Sequence, residues 1–234
     1  MRTLILIPTY NEAQNINRLF EAIGKEIFAD ILVIDDNSPD GTGKLADKLA
    51  ENDSRLKVLH RPKKEGLGKA YLAGYKYALE NNYTEIVQLD ADLSHDPRYL
   101  RELLDNLQNA DVVIGSRYCK GVSCYNWPFR RIVLSKVANA LAMRMLRCKV
   151  KDLTSGYKVI KSSVLKNINI NSLHSSGYAF QIETVYRALR RGYIVKEVPI
   201  IFYEREDGKS KLSKTVMIEA AWLILKIFFG AYKF

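Results

Sequence analysis

The sequence predicts an α/β protein: a mostly parallel sheet with helices on both faces, joined by amphipathic helices suited to an interface. Short β-branched runs alternate with helically spaced apolar segments through the first half. Those runs carry apolar side chains on both faces, as strands of a covered parallel sheet do. A length of 234 residues, 47% hydrophobic and 26% charged, suits one large domain with a sizeable core.

The first strand is expected over residues 4–7, followed by strands at 31–34, 57–59, 86–89 and 112–114. Each is short and rich in Ile, Val or Leu, which fit a pleated, buried surface. Between them, helices over 12–26, 43–51, 68–79 and 97–107 repeat apolar residues every three or four positions. In the second half, residues 127–147 read as a helix opened by Pro128, whose missing N–H costs nothing in a first turn. Lys136, Arg144 and Arg147 share one face of it, and Leu134, Ala138, Leu141, Ala142 and Met145 form a broad apolar side. That pattern fits either a core helix with a charged stripe or a helix lying on an anionic membrane. Glu219, Lys226 and Lys233 interrupt the apolar run 216–234, which therefore falls short of the roughly 18 apolar residues of a membrane span. It is expected to dock or to lie along an interface.

Open parallel sheets bind ligands beyond the carboxyl ends of their strands. Here those ends carry Pro8-Thr9-Tyr10-Asn11-Glu12, then Asp35-Asp36-Asn37-Ser38-Pro39-Asp40-Gly41-Thr42, then Asp90-Ala91-Asp92-Leu93-Ser94-His95. Asn, Asp and Ser also cap helices and shape turns, so each loop alone reads equally well as structure. Asp90 and Asp92 say more together. Two carboxylates turned toward one crevice repel each other unless a cation sits between them, which suggests a divalent metal.

Other chemistries are disfavoured. Gly43-Lys44 and Gly68-Lys69 precede Leu45 and Ala70 rather than Ser or Thr, and the GxxxxGK spacing of a phosphate loop is missing. No GxGxxG opens the first helix, against a dinucleotide oxidoreductase. His60, His95 and His174 stand far apart without zinc-binding spacing, although His95 adjoins the acid pair. Cys119, Cys124 and Cys148 are an odd set without a CxxC pair, which points to a reducing cytosol. Residues 1–8 lack the order of a signal peptide.

The net charge of +10 implies an anionic partner, and its distribution is uneven. From Arg117 to Lys151 there are nine Lys and Arg and no Asp or Glu. Nucleic acid, a phosphorylated substrate and an acidic membrane would each answer such a segment. Acids at three strand ends would repel a polyanion, which leaves nucleic acid the poorest match.

The chain resembles family 2 glycosyltransferases of the GT-A (Rossmann-like) fold, specifically the dolichyl-phosphate or polyprenyl-phosphate mannose synthases. The resemblance runs from Leu4 to about Leu212. It is carried by PTYNE at 8–12, DDNSPDGT at 35–42, DADLSH at 90–95, GSRY at 115–118, WPFRRIVLSKVAN at 127–139, TSGYK at 154–158, GYAFQIE at 177–183, and ER at 204–205 with GKSKL at 208–212. Any one is weak; together they stand in family order.

The resemblance implies a transferase domain over 1–212, and the interrupted apolar pattern beyond it suggests an amphipathic membrane-interface helix over 213–234. The resemblance implies a guanosine pocket formed by Pro8, Tyr10, Glu12, Ile34 and Asp36. Asp90, Ala91 and Asp92 become the DxD element, with Asp90, Asp92 and Ser94 toward Mg2+ or Mn2+; some relatives carry a glutamine ligand where Ser94 stands. Arg205 and Lys211 belong to a loop that closes over the donor diphosphate, and Arg117, Arg131 and Ser135 grip the lipid phosphate. Asp92, Arg117, Arg131 and Arg205 are thus the catalytic set, Arg117 being shared with the nucleotide-sugar site. The implied reaction moves mannose from GDP-mannose to dolichyl or polyprenyl phosphate with inversion, peripherally at the cytoplasmic face of a membrane, alone or with a membrane-embedded partner subunit. UDP-glucose is the alternative donor, and a non-catalytic basic module binding nucleic acid or anionic lipid is the alternative class.

Overall fold

The computed structural model describes residues 2–173, 175, 177–204 and 214–232, and for 214–217 the backbone alone. The strands are β1 (Thr3–Thr9), β2 (Asp30–Asp35), β3 (Leu56–His60), β4 (Glu85–Gln88), β5 (Val112–Ser116), β6 (Cys124–Tyr125), β7 (Lys158–Lys161), β8 (Val195–Pro199) and β9 (Phe202–Tyr203). The helices are α1 (Ile16–Glu26), α2 (Thr42–Asn52), α3 (Leu67–Glu80), α4 (Leu100–Asn106), α5 (Phe129–Met145), α6 (Ser162–Asn167), α7 (Gly177–Arg190) and α8 (Lys214–Phe228). Seven strands form one sheet in the order β3-β2-β1-β4-β7-β5-β8, and β6 with β9 forms a separate parallel ribbon. Every neighbouring pair in the large sheet is parallel except those of β7, which runs against both β4 and β5.

Alternation along the strands divides the core in two. Leu4, Leu6, Leu32 and Ile34 face one side with Tyr71, Tyr75 and Phe180 from α3 and α7. Ile5, Ile7, Ile31 and Val33 face the other with Leu19, Ala46 and Leu103 from α1, α2 and α4. All five expected strands and their helices are present, with shifted ends. The first helix begins at Ile16 because residues 11–15 form a turn, Asn11 taking a left-handed φ of 60°. The expected 97–107 helix breaks into a 3-10 turn at Pro97–Tyr99, α4, and a second 3-10 turn at Leu107–Asn109.

The two amphipathic helices fall within the alternatives that the sequence left open, with a different start for the first. Pro128 lies just outside α5, with ψ of 135°, and its carbonyl accepts from the N–H groups of Arg131 and Ile132 at 2.9 and 3.2 Å. The apolar side of α5 is not a core face: Leu134, Ala138 and Leu141 are exposed, and only Asn139 and Ala142 of the helix are buried. α8 buries Ala220, Leu223 and Ile227 in the core beside α7, yet leaves Ile218, Trp222, Leu225 and Phe228 exposed. Its C-terminal end is pinned by Tyr232, whose hydroxyl donates to the buried Glu183 and accepts from Arg187 at 2.8 Å. Among the described residues no helix is long and apolar enough to cross a membrane.

Candidate active site

The strand order reverses between β1 and β4, which opens a crevice at their carboxyl ends. Because β7 is antiparallel, the residues leading into it, Ser155 to Lys158, arrive at this same edge. The family-like motifs at the ends of β1, β2, β4 and β5, and before β7, therefore converge although the chain visits them far apart.

The first wall is held by turns. Asp35 accepts from the Thr9 hydroxyl at 3.0 Å and from the N–H and hydroxyl of Ser38 at 3.0 and 2.5 Å. Asp40 accepts from the N–H of Thr42 at 3.0 Å and of Ala13 at 3.1 Å, which clips the β1 loop to the start of α2. Glu12, buried, is fixed by its own N–H on the Thr42 hydroxyl at 2.9 Å and by the Asn15 amide on its carboxylate at 2.9 Å. Asp36 pairs with Arg61 at 2.5 Å, both nearly buried; burial raises its carboxyl above the ordinary range, against the pull of Arg61. Half-buried Tyr10 carries the Lys64 ammonium 3.9 Å above its ring. Pro8 pairs with Ile34 across β1 and β2. Ile34 takes part in this wall through its main chain. It has no exposed surface and points into the core shared with Leu6 and α3, so only its backbone reaches the crevice side.

The DADLSH loop is folded back on itself. Asp92 Oδ1 accepts from both the N–H and the hydroxyl of Ser94, at 3.1 and 2.6 Å. Leu93 makes this possible by taking a left-handed φ of 60°, a conformation that costs an L-residue about 1 to 2 kcal/mol and marks a loop under constraint. Asp90 accepts from the Tyr71 hydroxyl at 3.3 Å. Its own N–H donates to Nδ1 of His95 at 3.4 Å, which places the ring proton of neutral His95 on Nε2. Burial lowers the His95 pKa, against the attraction of Asp90 and Asp92, so the ring is neutral. Ala91 is buried between the acids. A Cβ on Gly156 would lie 3.2 Å from the His95 ring, tighter than ordinary contact, so the TSGYK turn passes close because it has none.

Beneath Asp90 lies a polar layer that sequence reasoning missed. Lys158 is wholly buried, paired across the sheet with Gln88 and Ile114, and donates to the Ser155 carbonyl and to Gln181 Oε1. Burial drags its ammonium down to about 7, against the attraction of Asp152 and Asp90. The Tyr75 hydroxyl, both amide atoms of Gln88 and the amide nitrogen of Gln181 are buried without a partner among the described residues.

Arg117, Arg131 and Ser135 come together on the other side. Arg117 is 4% exposed and holds Asp152 by a fork, Nε to Oδ2 at 2.8 Å and Nη2 to Oδ1 at 2.6 Å, with Thr154 taking a further bond at 2.8 Å. Burial would raise the Asp152 carboxyl, but the charge and bonds of Arg117 bring it below the ordinary range. Asn139 ties Thr154 to the Ser135 carbonyl at 3.1 and 3.0 Å, and the Tyr118 hydroxyl donates to that of Ser135 at 2.7 Å. Arg131 lies 3.9 Å over the Trp127 ring and bonds Glu204 at 2.6 Å. Asp152 already neutralises Arg117, and only its Nη1 edge has no bond among the described residues. Arg205 and Lys211 lie outside the described residues, as do His174 and the expected boundary at 212/213.

The glycosyl transferase family 2 model matches residues 4–168. A polyprenol monophosphomannose synthase of Mycolicibacterium smegmatis is 46% identical over 229 residues, covering 95% of this chain and 85% of that protein. An undecaprenyl-phosphate mannosyltransferase of Micrococcus luteus is 42% identical over 224 residues, covering 94% and 91%. A solved glucosyl-3-phosphoglycerate synthase of Mycobacterium tuberculosis, in complex with Mn2+, UDP-glucose and phosphoglyceric acid, superposes with a TM-score of 0.70 at 18% identity, covering 97% of this chain and 80% of that one.

Proposed function

Because the chain belongs to glycosyl transferase family 2, with the GT-A fold, we propose that it transfers mannose from GDP-mannose to the phosphate of a polyprenyl or dolichyl phosphate, with inversion. The observation that carries this reading is one sheet edge bearing two opposite chemistries. Asp90 and Asp92 stand on one side; on the other, Arg117 and Arg131 gather around Trp127, and Ser135 joins them through the Tyr118 hydroxyl. The names of the two mannosyl-transferring relatives support it.

A phosphate monoester, with a second pKa of about 6, is already mostly dianionic at neutral pH and needs little help from a base to attack the anomeric carbon. Arg131, the Nη1 edge of Arg117 and the Ser135 hydroxyl orient that anion. The buried indole N–H of Trp127, which has no acceptor among the described residues, supplies one more donor. As the new bond to C1 forms, the bond from C1 to the diphosphate oxygen breaks and GDP leaves, giving a lipid-phosphate β-mannose. Asp90, Asp92 and Ser94 offer only oxygen donors, which a hard divalent cation prefers. Among the described residues no third His, Cys, Asp or Glu joins them, so diphosphate oxygens and water suit the other positions of Mg2+ or Mn2+. When bound, that cation neutralises the charge growing on GDP. Arg205 and Lys211 are assigned to the same task, and Pro8, Tyr10, Glu12, Asp36 and the Ile34 backbone to the nucleoside.

The decisive assay offers radiolabelled GDP-mannose and UDP-glucose separately with polyprenyl phosphate, with and without EDTA. Lipid-soluble label is expected from GDP-mannose alone and is expected to vanish with chelator. Label from UDP-glucose instead would overturn the donor, and label from neither would overturn the transferase reading. Arg131→Ala should raise the KM for polyprenyl phosphate about 10-fold or more with little change for GDP-mannose, since a charge-assisted bond contributes about 1.5 to 3 kcal/mol. Because Arg131 must exchange Glu204 for the phosphate, the lower part of that range is expected; equal effects on both substrates would rule out a separate acceptor site.

The exposed apolar faces of α5 and α8, flanked by Arg130, Lys136, Arg144 and Lys226, fit peripheral attachment to an anionic membrane, and the free thiols suit its cytoplasmic face. A helix apolar on both its docked and its outward side, as α8 is, needs cover on the second. Each basic residue near such a surface contributes about 1 kcal/mol, so salt should release part of the protein from acidic liposomes. Co-sedimentation checks this: no binding at low salt would mean that a membrane-embedded partner subunit delivers the lipid.

A further inference from the structure

The two halves of the site meet on one short segment, β9, which no motif marked. On the acid side, His95 forms a backbone bridge with Phe202, and their rings meet edge to face at 5.3 Å. The Ser94 carbonyl accepts from the Tyr203 N–H at 3.3 Å. Asp90 is bonded to His95 and Asp92 to Ser94, so each acid is one residue away from β9. On the basic side, Phe202 meets the Trp127 ring edge to face at 5.4 Å and lies 5.4 Å from the Arg117 guanidinium. The Glu204 carboxylate holds Arg131, and its N–H donates to the Tyr125 carbonyl at 3.1 Å.

We infer that Phe202 is a positioning residue that couples the two substrates: occupation of the acid side fixes β9 through His95 and Ser94, and Phe202 passes that order to Trp127, Arg117 and Arg131. This rests on the acceptor and donor sides proposed above. A packed ring can transmit a shift only if it touches both parties, and Phe202 contacts side chains from the DADLSH loop, from the residue after β5 and from the segment before α5. It needs no contact with either substrate. A site coupled in this way would grip the lipid phosphate best once the donor is seated, which limits unproductive occupation by the acceptor.

Coupling is measured as a ratio of affinities. Titration calorimetry of farnesyl phosphate, without and with saturating GDP and Mn2+, should show binding about 5-fold or more tighter in the second case for the native chain. Phe202→Leu, which keeps most of the volume but loses the ring, should bring that ratio close to one while each ligand alone still binds within about threefold of native. Phe202→Tyr keeps the ring and should keep the ratio. A ratio of one in the native chain, or an undiminished ratio in Phe202→Leu, overturns the inference. Equal weakening of both ligands with the ratio preserved would show a merely structural ring and also overturns it. Failure of either probe to bind the native chain would instead overturn the site reading beneath it.

Discussion

Asp92→Asn is expected to lower mannosyl transfer about a thousandfold or more while leaving the fold intact. A divalent ion at the leaving group supplies several kcal/mol of charge stabilisation, and each 1.36 kcal/mol is a factor of ten in rate. Asparagine is a cleaner replacement than alanine here. Both the N–H and the hydroxyl of buried Ser94 rest on Asp92 Oδ1, and alanine would strand two donors at about 1 to 3 kcal/mol each. The amide oxygen of asparagine still receives them, so the loss isolates the charge. Transfer of radiolabel, beside circular dichroism for the fold, checks this. EDTA should silence the native chain, and added Mn2+ should restore it but not the variant. A variant working at native rate would remove the metal from Asp92.

Asp152→Asn should destabilise the fold by about 3 to 5 kcal/mol, the cost of leaving a buried charge without its partner. Arg117 keeps its place among Tyr118, Trp127 and Phe202 in either case, with no other carboxylate bonded to it among the described residues. Urea unfolding measures the loss. The pH dependence has a fixed sign. The folded carboxyl titrates below its unfolded value of about 3.9, so the pair contributes fully above that value and is lost as pH falls through the folded one. Replacing both members by apolar residues of similar volume should restore most of the stability and none of the transfer. A silent Asp152→Asn would mean that the ion pair is not what holds Arg117.

Much of this arrangement was legible in the sequence, and what was not has physical causes. Strands β1, β2, β4 and β5 declared themselves because they are buried on both faces and so read as apolar runs, and the polar residues that follow them marked the edge at which the motifs converge. β7 stayed hidden. Its Lys158 and Lys161 make KVIK look like surface, yet Lys158 is wholly buried against Gln181. The counter-ion of Arg117 was hidden for a different reason. Across an acid-free segment no local partner could be named, and Asp152 is the first acid beyond it, a signal available to anyone asking what neutralises a buried guanidinium. Phe202 could not be read at all, because a single aromatic among apolar neighbours acquires its role only from the three distant segments around it. Alternation along β2 sends the Ile34 side chain into the core, which a motif read as a string of letters does not reveal.

β7 also governs when the sheet can exist. It is the strand between β4 and β5, yet it is synthesised after β5 and after all of α5. Until residue 161 has left the ribosome, β4 and β5 each keep an open hydrogen-bonding edge, the exposure from which aggregation starts. The amino-terminal strands can gather early around β1, but β4 gains no strand on its other side until a late antiparallel strand is threaded between two waiting partners. Such long-range pairing is slow to form. The same insertion that brings Lys158 under Asp90 therefore makes the nascent chain depend on being shielded until its centre is filled.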